Sequence, residues 1–405
     1  MNTYKSEILS PNSFIKIVTL AALLAGVIPV QAKVIGTSGA NMDMKRPATW
    51  EGGAFPKAND TANFAHSGTY WAPNKSVFSF QGITMNAPDV KIIPATGHTL
   101  TINLGVGGLS GSQPFSQLGE AGVSESSSPV GTVLLDVGAN NQTWAITFNA
   151  MANLKGSATI QLTGGKKVAT WMRGNNSGFS GTWLIDGGCL MTSNEPGNDR
   201  VTMQLKSNGV LRLAAATGGT ATYACGRIQM LGDGTLLVSP ASDYGNTVTT
   251  LRQPVSGNGN LTLGAGSGHA THRSILNLAG HYTHRGHTRI QGTSAERLAP
   301  FEVNLTAKGS MTFYINTNGV NNAILESTSR NALNVNGSFV IDLTAAQATD
   351  GNTWLLVDRQ LDSVTYGGQF NVVGFTKAGT VWTRVIGDKT WTFSQTTGTL
   401  TVTLK

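Results

Sequence analysis

Residues 209–214 read GVLRLA, residues 234–239 GTLLVS and residues 259–264 GNLTLG, each opening on Gly and recurring at one fixed interval. Apolar side chains stand two and four positions after each Gly, with Arg212, Leu237 and Thr262 between them. That alternation is the period-2 pattern of a half-buried strand. The unit extends upstream to Gly131, Gly156 and Gly181, and downstream to Gly286, Gly309 and Gly337. The intervals between successive glycines run 25, 25, 28, 25, 25, 27, 23 and 28. The +2 column reads Val133, Ala158, Trp183, Leu211, Leu236, Leu261, Thr288, Met311 and Phe339. The +4 column reads Leu135, Ile160, Ile185, Leu213, Val238, Leu263, Ile290, Phe313 and Ile341. Only Thr288 departs from apolar character.

A strand recurring in near-constant phase predicts a solenoid, whose units bury a core only by stacking on their neighbours. The expected fold is an all-β parallel β-helix with coils of ~25–28 residues, about 14 of them over residues 33–405, stacked at the usual strand spacing of ~4.8 Å. A β-sandwich would not demand this phase. The sharpest expectation is that Leu211, Leu236 and Leu261 stack on one another.

Composition agrees. Charged residues are 12% and Gly 50 of 405, against about 25% charged and about 7% Gly in ordinary soluble domains. Scarce Glu and Lys beside abundant Gly exclude a helical bundle, and the glycines lack the three-residue period of collagen. The 40% hydrophobic content supplies a core.

The chain divides into four parts. Residues 1–32 read as a secretory signal peptide: Lys5 and Lys16 precede the apolar run 17–28, and Val30 and Ala32 supply small residues for cleavage before Lys33. The run falls well short of the roughly 20 residues needed to span a bilayer as a helix. Residues 33–130 are irregular first coils with a polar cover over 33–56 and a Gly/Ser-rich exposed loop over 105–129. Residues 131–345 are the regular coils, and 346–405 further coils or a cap. Neither a transmembrane helix in the mature chain nor a C-terminal translocator barrel is expected. Net charge is +7, or +6 once the leader takes Lys5, Glu7 and Lys16. No Lys/Arg run marks nucleic-acid binding. The expected partners are surface glycans, or further copies of the chain pairing through the edge of the C-terminal strand GTLTVTL (398–404).

Four stretches resemble the autotransporter-associated β-strand-repeat proteins of Gram-negative bacteria. Residues 179–190 (FSGTWLIDGGCL) match the family unit of an aromatic, a small residue, Gly-Thr, a hydrophobic strand, Gly, a small residue and Leu. Residues 282–298 (YTHRGHTRIQGTSAERL) are a looser copy with His and Arg where the family has Gly and Asn. Residues 50–64 (WEGGAFPKANDTANF) resemble the opening of such exported proteins, and residues 391–404 (WTFSQTTGTLTVTL) their closing strands. The resemblance implies an exported right-handed β-helix that is secreted or displayed on the outer cell surface.

Chemistry is sparse. Five of the seven His crowd into one stretch: His269, His272, His281, His284 and His287. Imidazole clusters bind Zn, Cu or Ni, so these five are the candidate metal ligands, weighed against an ordinary polar turn and strand. On an extended strand His281 and His287 share one face and His284 opposes them. Asp136, Asp186 and Asp342 share the position five after Gly, but Asp136 and Asp186 stand two coils or ~9–10 Å apart, too far to share a metal. Solvated strand-end carboxylates are the expected role. Trp50, Tyr70, Trp71, Trp144, Trp171 and Trp183 can stack on sugars where exposed, with core as the default. Cys189 and Cys225 either pair or remain free thiols. No G-x-S-x-G, H-E-x-x-H or P-loop is present, and no cofactor or catalytic residue is expected. A non-catalytic structural or adhesive surface protein is thus the leading expectation. A polysaccharide-binding or polysaccharide-degrading β-helix is the alternative, distinguished by charged groups converging from neighbouring coils.

Overall fold

In the strands around residue 160 every second side chain is apolar, and each such residue lies over the next one coil on. Ile160, Trp183, Met203, Ile228, Val255, Tyr282, Met311, Phe339 and Val372 pair in register one after another. All nine are buried. This unbroken column is one wall of the core, and burying it in a close-packed stack is the main driving force for the fold. The computed structural model describes residues 33–40, 42–111, 116–119, 131–165, 169–215, 219–240, 246–266, 273–291, 301–326, 331–361 and 363–405. Segment 1–32, expected from the sequence to be a signal peptide, lies outside them, as do His269 and His272.

Among the described residues the chain is a parallel β-solenoid with three strand faces of 17, 11 and 6 strands, closed by a separate five-stranded sheet. Three coils break the longest face into two strands each: Thr132–Asp136 with Gln142–Ala145, Asn153–Gly156 with Thr159–Leu162, and Gly178–Phe179 with Thr182–Asp186. The other strands of that face come singly, one from each coil.

The repeat phase needs correction. Strands at Thr132, Thr159 and Thr182 lie on the longest face, those at Gly209, Gly234, Leu261 and Thr288 on the 11-stranded face, and those at Ser310 and Ser338 again on the longest. Leu211 pairs with Leu236, but Leu236 then pairs with Leu263, and Leu261 pairs with Gly234. Coil length is also less uniform than the glycine spacing predicts. A short coil carries the chain from Thr170 to its partner Leu190, and a much longer one from Ile290 to Glu326. Strand length varies with it, from two residues at Gly178–Phe179 to thirteen at Thr99–Gly111.

The glycines recur because coils touch there. A Cβ on Gly286 would meet the carbonyl of Gly259, and one on Gly259 would meet the carbonyl of Gly232. Only a residue without a side chain lets the backbones approach so closely. The same device extends a strand into the expected loop: Thr99–Gly111 is continuous, with Gly82 paired to Gly108. A Cβ on Gly107 would stand 2.8 Å from the Gln81 carbonyl oxygen. Most of the remaining loop lies outside the described residues, apart from the short strand Ser116–Leu118.

Both ends are covered. At the first, Val34–Gly36 pairs with Thr61–Phe64, and the buried Trp50 lies over the core with its ring 5.7 Å from Phe64 and 6.4 Å from Phe80. At the second, Thr376–Ala378, Val381–Ile386, Lys389–Ser394 and Thr399–Leu404 run antiparallel, with Thr353–Leu355 completing the sheet. The expectation of an open edge at GTLTVTL is corrected here. Thr399–Leu404 pairs with Lys389–Ser394 on one side and Thr353–Leu355 on the other, because its alternating Leu400 and Val402 are buried in the cap.

Candidate functional site

Of the five candidate His, three are described: His281 in the strand His281–Tyr282 of the longest face, and His284 and His287 in the turn from it to the 11-stranded face; their rings have separate partners. His281 is exposed, its Nδ1 2.8 Å from the Ser310 hydroxyl of the next coil. His284 turns inward, with Nε2 3.1 Å from Thr288 Oγ1. Burial pushes its pKa down to about 4. His287 lies between these extremes. Its Nδ1 accepts the Ala323 N–H at 3.2 Å, and its pKa is lowered by burial and then by Arg289. Among the described residues no three of His, Cys, Asp and Glu stand close enough to hold a metal ion. A His-based centre therefore turns on His269 and His272, which lie outside the described residues.

The aromatics divide. Trp50, Tyr70, Trp144 and Trp183 are core residues. Trp71 is 39% exposed, and Trp171 is half-buried with the Arg173 guanidinium 4.4 Å above its ring. The aspartates are strand-end groups: Asp136 lies 3.3 Å from Lys155, and Asp186 lies 3.4 Å from Lys206, in each case one coil on. Hydrogen bonds, the largest from Ser207, hold the Asp186 pKa below its usual value. Both cysteines are free, Cys189 in a strand of the 11-stranded face and Cys225 in a turn, and burial pushes each thiol up to about 11.

Two surface clefts bring Cys225 and Asp342 beside polar groups that the sequence did not single out. In a cleft of about 430 Å³, Glu195 and Asp199 meet Cys225 of the following coil. Glu195 accepts the Ala224 N–H at 2.6 Å and the Cys225 N–H at 3.2 Å, and burial raises its pKa. With both carboxylate oxygens holding backbone, Glu195 is a strut between coils. Two acids four apart in the turn NEPGND (194–199) were the available signal.

The second cleft, about 410 Å³, is built from three successive coils. Arg285 follows the strand His281–Tyr282, Tyr314 ends Ser310–Tyr314, and Asp342 ends Ser338–Asp342. The guanidinium stands 4.2 Å from the centre of the Tyr314 ring, an attractive cation–π geometry. Asp342 accepts the Thr344 N–H at 2.9 Å. Thr344 is the main cause of its lowered pKa, with Arg285 adding a smaller share. Asn322 fixes the wall by accepting the Tyr314 N–H at 2.6 Å and donating to the Thr312 carbonyl at 3.0 Å. A fixed cation beside an aromatic ring and amides suits binding of a hydroxylated, acidic ligand. A lone carboxylate held by Thr344 does not make the paired acids that glycoside hydrolysis uses.

Comparison with protein-family models, with curated proteins and with solved structures returns no match. The site rests on its geometry.

Proposed function

We propose that this chain is an exported β-solenoid of the autotransporter-associated kind, acting without catalysis as a structural and adhesive rod at the surface of a Gram-negative cell or in its matrix. The observation that carries the reading is the outer wall, where polar side chains bond to polar side chains of the next coil. Gln161 donates to Asp186 at 3.0 Å and Gln204 to Gln229 at 3.0 Å. Asn334 donates to Asn304 at 2.8 Å, and Asn304 to Asn277 at 2.9 Å. Such ladders stiffen a stack along its axis, which suits a spacer or adhesive element. The leader sequence supports export, and the first strand begins at Val34, just past Ala32. Protease shaving of intact cells, with N-terminal sequencing of the surface protein, tests the reading. A shaved chain beginning at Lys33, and loss of cell attachment when the gene is deleted, are the expected results. Cytoplasmic retention with the leader intact overturns it.

The Arg285–Tyr314–Asp342 cleft favours a second reading, that the rod adheres by holding acidic polysaccharide. Charged groups from neighbouring coils converge there as a glycan site requires.

A further inference from the structure

Asp60 is 9% exposed, and its carboxylate accepts two backbone hydrogen bonds. Oδ2 takes the Lys57 N–H at 2.9 Å, and Oδ1 takes the Lys33 N–H at 3.2 Å. Around it the backbone is committed to the first coils: Thr61 N–H donates to the Lys33 carbonyl at 2.8 Å, and Gln81 N–H donates to the Asp60 carbonyl at 2.8 Å. Among the described residues no Lys or Arg side chain pairs with this carboxylate. A buried carboxylate facing amides alone lacks the counter-charge that such groups ordinarily find.

The atom it reaches toward is the nitrogen that leader removal would free. Hydrolysis of the Ala32–Lys33 amide by signal peptidase, with water as co-reactant, leaves Ala32 as a carboxylate and Lys33 with an α-amine. That amine takes up a proton at pH values below its ordinary pKa of about 7.7–8.0. We infer that Asp60 is the receptor for the mature N-terminus: cleavage converts the amide–carboxylate hydrogen bond between Lys33 and Asp60 into an ion pair that locks the first coil. The inference rests on the export reading above. An ammonium donor adds the attraction of opposite charges to the hydrogen bond that the amide already makes with the carboxylate, so the first coil of the processed chain is held more tightly than that of the precursor. The lock sits where the cover carrying Trp50 meets the first paired strands, so it secures the end of the solenoid where the stack begins.

The test compares purified chains beginning at Lys33 and at Ala32, which carry the same net charge but place the α-amine on different atoms. Hydrogen–deuterium exchange over residues 33–38 and 57–64 is the readout. Exchange in the Lys33 chain is expected to be slower by roughly threefold to tenfold, as an ammonium replaces an amide as donor to the same carboxylate, and Asp60→Asn should erase the difference. Should Asp60→Asn not fold, Nα-acetylation of the Lys33 chain replaces it and is expected to restore the faster exchange. Equal exchange in the two chains, or a difference that persists in Asp60→Asn, overturns the lock itself. An exported protein beginning at another residue overturns it through the cleavage site, and sequencing separates that failure from the first.

Discussion

The Phe339 ring meets Phe370 edge to face, centroids 5.0 Å apart and planes at 81°. Phe339 also meets Phe313 at 4.8 Å and the cap residue Phe393 at 5.9 Å. One side chain thus joins the last regular coils to the closing sheet. Phe339→Ala is expected to cost about 3–5 kcal/mol, the range for a large aromatic removed from a core. Limited proteolysis should then cut within 343–405 before the coils unfold. A variant as resistant there as the parent would contradict the joint.

Stability should fall with acidification before the carboxylates titrate. His284 is neutral in the fold because burial sets its pKa near about 4, while the unfolded chain binds a proton at about 6.5. Its neutral form supports the fold fully above about 6.5, and that support is lost as pH falls toward about 4. The loss is on the order of 3 kcal/mol. Denaturant titrations across this window should show the decline in the parent and a flatter profile in His284→Gln. Identical profiles would refute the assignment.

Gly259→Ala drives a methyl into the Gly232 carbonyl one coil away, and overpacking of this kind costs about 1–3 kcal/mol. Gly368→Ala, with open space around the new Cβ, should leave the thermal midpoint unchanged. Equal midpoints for the two variants would show that the coils do not touch at Gly259.

If the Arg285 cleft holds acidic polysaccharide, Arg285→Ala should weaken retention on immobilised polyuronate by roughly tenfold, about 1.4 kcal/mol. Asp342→Asn should strengthen it by removing a like charge. Affinity electrophoresis at two salt concentrations separates this contact from the general pull of a basic protein. Unchanged retention in Arg285→Ala would exclude the cleft.

Side-chain alternation was plainly legible. Trp183, Met311 and Phe339 belong to one column as the repeat placed them, whereas Leu261 does not stack on Leu236. The same Gly-led alternation serves two faces of the coil, so nothing in it marks that the strand at Thr182 and the one at Gly209 lie on different faces. The clefts were illegible for a related reason. Glu195 meets Cys225, and Arg285 meets Asp342, only once the coil lengths are known. Those lengths vary from coil to coil. The inward turn of His284 was half-visible, since alternation set it against its neighbours but gave no hint of Thr288.

The place of Thr399–Leu404 inside the closing sheet has a consequence for how the molecule is finished. Synthesis reaches this strand after every coil, yet it is an interior member of its sheet, and without it Thr353–Leu355 loses the strand beside it. A chain halted shortly before Thr399 keeps nearly all its coils but cannot close its own end. Placement of Thr399–Leu404 between its two partners is thus what seals the core, and a chain lacking it leaves Trp354 and Phe393 without the strand that pairs beside them.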